Sequence, residues 1–156
     1  MTRTEASQLY RNLGRTPPMD LRDEELPRKH KYGASKKEVD GITFDSSLEA
    51  QAYQILKLWE RAGKINPIMR QPLYTLQEGF RDTHGKWHRS VRYIADFFYT
   101  ERDAEDGAPP SRYVTVDVKG YPTPAFRIKE KLFRAKYPEI ELQIWDRAKV
   151  KELSRL

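Results

Sequence analysis

Asp96, Asp117 and Lys119 are the residues of this chain whose types and surroundings could do chemistry. Asp96 follows Tyr93-Ile94-Ala95 and precedes Phe97-Phe98, and Asp117 lies in Val116-Asp117-Val118-Lys119-Gly120. Each string reads as a buried strand carrying a carboxylate. A strand turns alternate side chains to one face, so Asp117 and Lys119 project together while Val116 and Val118 pack on the other side. Burying an ionised group without a partner is costly, so charges among β-branched and aromatic residues need one another or a cation. Two carboxylates and a lysine converging at strand ends meet the needs of a divalent-metal site acting on a phosphodiester. The carboxylates supply oxygen ligands for a hard cation, and the lysine supplies positive charge for the phosphate.

The elements that must position these residues can be read on either side of them. From Ser46 to Gly63 the pattern is helical, with Leu48, Ala52, Ile55, Trp59 and Ala62 as an apolar stripe. Ser46 and Glu49 form a capping box at its start, and Gly63 ends it. Gln71 to Gln77 reads as a strand, followed by strands over Trp87 to Thr100 and Arg112 to Lys119, joined by an acidic loop from Glu101 to Ser111. A helix is expected from Ala125 to Lys136, with Ile128, Leu132 and Ala135 on its apolar face and Pro138 as its stop. Ile140 to Trp145 alternates as a last strand, and Arg147 to Leu156 reads as a terminal helix. Helix, three mostly antiparallel strands, helix, strand makes an α/β fold on a mixed sheet flanked by helices. Residues 1–38 read as a flexible or partner-dependent arm, with a short helix around Ser7 to Leu13, and residues 39–156 as the compact domain.

At 156 residues the chain suits one domain. It has no cysteine, which excludes disulfides, thiolate zinc sites and cysteine nucleophiles. No run is apolar enough to span a membrane and the N-terminus lacks a signal-peptide core, so an intracellular, cytoplasmic protein is expected. The formal charge of +6 is concentrated. Lys119, Arg127, Lys129, Lys131, Arg134 and Lys136 face a single acid, Glu130, and a second cluster is Arg28-Lys29-His30-Lys31 with Lys36-Lys37. Such stripes suit a phosphate backbone, which makes DNA the expected partner with Arg127, Lys129, Lys131 and Arg134 as its contacts. Solvated helix faces are the competing reading of the same charges.

A glutamate on the first helix, an aspartate on a strand and Asp-x-Lys on the next strand resemble the PD-(D/E)XK nuclease superfamily. Lys31 to Trp145 is most similar to a phage-encoded branch of it, through Phe44-Asp45-Ser46-Ser47-Leu48-Glu49-Ala50, Arg70-Gln71-Pro72, Ile94-Ala95-Asp96-Phe97, Asp117-Val118-Lys119-Gly120 and Lys131-Leu132-Phe133. Ala95 stands where the superfamily's name has proline. The resemblance implies a restriction-endonuclease-like αβββαβ core and an endonuclease that hydrolyses DNA to 5′-phosphate and 3′-hydroxyl ends, as a nickase, double-strand cutter or junction resolvase. It implies Mg²⁺ as cofactor, with Mn²⁺ as a substitute, held by Asp96, Asp117, the Val118 carbonyl and Glu49. Lys119 would sit beside the scissile phosphate and Gln71 would be an auxiliary site residue. A homodimer pairing two sites and, for a phage-encoded protein, the host cytoplasm are further expectations of that resemblance.

Each residue also has a plainer reading. Glu49 can be the acidic half of the capping box alone, Asp117 with Lys119 a same-face ion pair, and Gln71 an edge-strand polar residue. His84 and His88 have helical metal-ligand spacing, but Gly85 between them favours a turn. Tyr121, Tyr137 and Trp145 are expected to pack rather than to stack on bases. The competing functional class is a non-catalytic DNA-binding or phage accessory protein on the same fold.

Overall fold

The computed structural model describes residues 36–102 and 110–156. Most of the expected arm, including the short helix at Ser7 to Leu13 and the basic run Arg28 to Lys31, lies outside the described residues, as does most of the acidic loop. Ser35–Leu156 form one compact unit.

The unit opens with a hairpin, β1 (Lys37–Val39) and β2 (Ile42–Phe44), so Lys37 and Glu38 already belong to a strand. Its turn is Asp40-Gly41, both left-handed at φ 53° and 74°, the conformation of a type I′ turn whose twist matches the flanking strands. Helix α1 (Ser47–Arg61) follows at once. The Ser46 hydroxyl accepts from the Glu49 N–H at 3.1 Å and caps it. At the far end Gly63 is left-handed (φ 71°), and its N–H and that of Lys64 reach the Glu60 and Trp59 carbonyls, a Schellman closure. The buried face is Ala52, Tyr53, Ile55 and Leu56, with Leu48 and Trp59 at its margin. Ala62, expected in the stripe, is exposed because the chain has turned off the helix there.

The main sheet has four strands in the order β10–β9–β8–β3. These are β3 (Met69–Arg70), β8 (Phe97–Thr100), β9 (Tyr113–Val118) and β10 (Ile140–Trp145). β10 runs parallel to β9 and the other pairs are antiparallel, so the sheet is mixed. Helix α2 (Pro124–Lys136) makes the crossover that a parallel pair requires, and α3 (Arg147–Leu153) closes the chain. Two smaller ladders stand beside this sheet, β4 (Leu73–Gln77) with β7 (Val91–Ile94) and β5 (Phe80–Arg81) with β6 (Trp87–His88). The described residues thus form a mixed α/β fold with helices on both faces of the sheet.

The expected strand Trp87–Thr100 is three pieces, and the reason bears on the site. β7 pairs with β4, whereas β8 pairs with β9, and the chain changes partner at Ala95-Asp96. The expected strand from Gln71 begins only at Leu73, because Gln71 is left-handed at φ 51°.

One core cluster joins α1 and α3 to the face carrying Phe97, Tyr99, Val114, Val116, Val118 and Trp145. The other places Phe126 and Phe133 of α2 against Leu76, Tyr93, Ala95 and Leu142. The apolar face expected for α2 is therefore displaced: Ile128 is 63% exposed, and Leu132 and Ala135 also face out. Phe126 and Phe133, seven residues apart, bury more apolar surface than Ile, Leu and Ala would, so they set the helix's rotation. Thr123 caps this helix by accepting from the Phe126 N–H at 3.2 Å, with Pro124 at its first position. Among the described residues no helix is long and apolar enough to cross a membrane.

Candidate active site

β9 delivers Asp117. Val114, Val116 and Val118 pack under α1, so alternation turns Thr115 and Asp117 toward the β4–β7 ladder and α2. Asp117 is 1% exposed. Its Oδ2 accepts a hydrogen bond from the Tyr93 hydroxyl at 2.6 Å. Its Oδ1 lies 2.9 Å from Lys119 Nζ, but outside hydrogen-bonding angles, so that buried oxygen is ion-paired without a hydrogen bond. Lys119 is half-buried, and its ammonium also sits 4.9 Å from the centre of the Phe126 ring.

Asp96 does not lie in a strand. It occupies the break between β7 and β8, where its N–H donates to the Val116 carbonyl at 3.1 Å and its Oδ2 accepts from the Val118 N–H at 2.6 Å. The side chain thus takes over a ladder bond that the interrupted strand cannot make. Val118 enters the site through this N–H. Burial, first, and then the neighbouring Asp117 and Glu49 charges raise the Asp96 pKa to about 7, against the lowering pull of the Val118 N–H and Lys119.

Gln71 holds Asp96 by its backbone: the Gln71 N–H donates to the Asp96 carbonyl at 2.9 Å, and the Ala95 N–H donates to the Pro72 carbonyl at 3.2 Å. The left-handed conformation of a non-glycine residue here is a local strain set against this double clamp. The Gln71 side chain is exposed.

Glu49 comes from the first turn of α1, on the opposite face of the sheet from Asp117. Its Oε1 takes the Ser46 hydroxyl at 3.3 Å, so the acidic half of the cap contacts the side chain of Ser46. Its pKa is raised, chiefly by burial, and it feels Asp45 and Asp117 in the same direction and Ser46 and Lys119 in the other. Glu49, Asp96, Asp117 and Lys119 thus share one electrostatic neighbourhood.

Among the described residues no three histidine, cysteine, aspartate or glutamate side chains form a ready-made cage. Mg²⁺ rarely uses one: it is held by one or two carboxylates, several waters and substrate phosphate oxygens. Asp96, whose buried carboxylate a cation would stabilise, and Asp117 Oδ1, buried with an ion pair but no hydrogen bond, fit that pattern.

Tyr93 was not among the residues singled out from sequence. It is buried on β7, its own ionisation strongly disfavoured by burial and by Asp117, and it stands among the rings of Tyr74, Phe126 and Phe133. Its signal was local: a tyrosine among buried residues needs a partner for its hydroxyl.

The expected DNA contacts divide. Arg127 and Lys131 are exposed on α2, and Lys129 is half-buried on the side of Phe126 and Phe133. Arg134 is tied down, donating to Glu130 Oε1 at 2.9 Å and to the Leu142 carbonyl at 3.1 Å. His84 lies in the β5–β6 turn and His88 on β6, where it pairs with Asp82 at 2.9 Å. Trp145 is buried and Tyr137 packs on the second core cluster, but Tyr121, expected to pack, is 81% exposed just beyond Lys119. A hollow lined by Trp59, Tyr99, Glu141, Trp145 and Lys149, among others, contains none of Glu49, Asp96, Asp117 and Lys119.

No curated protein and no solved structure matches the chain. Residues 29–152 match the family described as protein of unknown function (DUF1064). The match spans most of the chain, from just before the first hairpin to the last helix, and the chain belongs to that family.

Proposed function

We propose that this protein is a Mg²⁺-dependent endonuclease that hydrolyses DNA phosphodiester bonds, on a restriction-endonuclease-like αβββαβ core of the PD-(D/E)XK kind. The order α1, β3–β4, β7–β8, β9, α2, β10, with the β5–β6 ladder inserted between β4 and β7, supports that reading. The observation that carries the reading is the buried Asp117 Oδ1, paired with Lys119 but without a hydrogen bond, beside an Asp96 carboxyl that ionises only near neutrality.

A bound Mg²⁺ would neutralise phosphate charge and lower the pKa of an attacking water. Asp96, Asp117 and the Val118 carbonyl would hold it, with Glu49 reaching it through water. The chain's own residues do the positioning. Tyr93 and the Val118 N–H fix one oxygen of each aspartate, and the second oxygen of each, in Asp117 the one paired with Lys119, would be offered to a metal ion. Lys119, held by Asp117 and Phe126, places a positive charge for the phosphate as its negative charge builds. Water oxygen joins phosphorus and the O3′ leaves with a proton, giving 5′-phosphate and 3′-hydroxyl ends.

A second reading has one observation in its favour. The Lys119 ammonium, 2.9 Å from Asp117 Oδ1, is placed to neutralise that carboxylate by itself, as a non-catalytic DNA-binding protein on this fold would have it. Incubation with supercoiled, linear and four-way-junction DNA, with Mg²⁺ and with EDTA, separates the two. Cleavage confined to Mg²⁺ is expected; binding without cleavage under any divalent ion would overturn the enzymatic reading.

A further inference from the structure

Among the described residues, strands β5 and β6 pair only with each other and form a ladder separate from the main sheet. An isolated two-stranded ribbon is marginal in water, so what secures this one is informative. Asp82 closes the turn, its Oδ1 accepting from the His84 and Lys86 N–H groups at 2.9 and 3.0 Å and its Oδ2 pairing with His88. Arg81 donates to the Gly85 carbonyl at 2.8 Å and lies 5.8 Å from the Trp87 ring centre, and Phe80 stacks on His88 at 4.9 Å. Gly79 lies under Trp87: a Cβ there would come within 2.5 Å of the indole.

The charges on this ribbon are unequal in availability. Asp82 is consumed inside the turn, and Glu78 at its base pairs with Lys136 at 3.3 Å. Lys86 and Arg89 are exposed and have no ion-pair partner among the described residues. Beside them Trp87 and Phe80 remain 55% and 45% exposed. Arg89, Arg92, Ser90 and Trp87, with Gly79 and the Lys136-paired Glu78, line a hollow of about 570 Å³.

We propose that the β5–β6 ribbon is a duplex-DNA-binding arm, with Lys86 and Arg89 on phosphates and Trp87 against the groove wall. Free cations beside an exposed indole complement a phosphate backbone. The major groove of B-DNA admits a two-stranded ribbon, whereas that of duplex RNA is too narrow. From Arg89 the chain runs along β7 to Asp96, at most about 24 Å of extended strand. That is less than one turn of duplex, about 34 Å. The placement relative to a scissile phosphate rests on the proposed function; the binding itself does not.

The test is fluorescence anisotropy of the full chain with a mixed-sequence DNA duplex, titrated with salt in EDTA, comparing wild type, Lys86→Ala/Arg89→Ala and a charge-matched control, Arg147→Ala/Lys151→Ala on α3. The ribbon variant is expected to bind about tenfold more weakly, with the salt slope reduced by about 2, while the control stays within twofold of wild type. Neither ribbon side chain forms a hydrogen bond or ion pair among the described residues, so the variant should melt like wild type. A ribbon variant within twofold of wild type, or a control that loses as much, overturns the proposal. So does wild type that binds polyglutamate through the ribbon in place of DNA. Cleavage is read separately with Mg²⁺: ribbon-dependent binding without cleavage removes only the hydrolytic reading, and cleavage with an unaffected ribbon variant removes only the arm.

Discussion

The Tyr93 hydroxyl donates to Asp117 Oδ2 at 2.6 Å, joining residues 24 apart in the sequence within the core. This bond fixes the carboxylate's orientation and leaves Oδ1 as the oxygen facing Lys119. Tyr93→Phe removes the donor and leaves a buried carboxylate oxygen unsatisfied, which costs about 1 to 3 kcal/mol. Thermal denaturation should show that loss, and Mg²⁺ affinity should fall with it. An unchanged melting temperature together with unchanged Mg²⁺ affinity would remove Tyr93 from the site.

Asp96 makes stability depend on pH in an unusual sense. Its folded pKa, about 7, lies above that of an unfolded aspartate, so the folded state binds the extra proton. Its contribution is therefore fully present below the unfolded pKa and is lost as pH rises to about 7. Asp96→Asn can still accept the Val118 N–H without carrying a charge. It should flatten this decline and raise the metal-free melting temperature by a few degrees at pH 8, roughly 1 kcal/mol for a chain of this size. A parallel pH dependence in wild type and variant would contradict this assignment.

Glu49 can be made to choose between capping and chemistry. Glutamine keeps an oxygen for the Ser46 hydroxyl but supplies no carboxylate. Glu49→Gln should melt like wild type and lose most cleavage, whereas Ser46→Ala should lose roughly 1 kcal/mol of stability and keep its cleavage. Full activity in Glu49→Gln would leave Asp96, Asp117 and Lys119 as the whole site.

What the sequence made legible was local. The alternation that turns Asp117 and Lys119 to one side, the Ser46 cap and the strand Ile140–Trp145 all rest on contacts within a few residues. Asp40-Gly41 was equally local and announced a hairpin, whose first strand begins inside the stretch 1–38 that read as an arm. The rest depends on partners distant in sequence. Asp96 breaks its strand because β7 and β8 have different neighbours, and the rotation of α2 follows from the rings of Tyr74 and Tyr93 that Phe133 meets. Gln71 shows only its exposed side chain in the sequence, while its contribution to the site is a backbone N–H.

The central claim is that Asp117 serves phosphodiester hydrolysis through a divalent cation, while affinity for DNA comes mostly from basic residues elsewhere. Asp117→Asn should abolish Mg²⁺-dependent cleavage of a supercoiled plasmid while binding the same DNA within about twofold of wild type. Cleavage by wild type that persists undiminished in excess EDTA, or an Asp117→Asn protein that cuts at the wild-type rate, would contradict it.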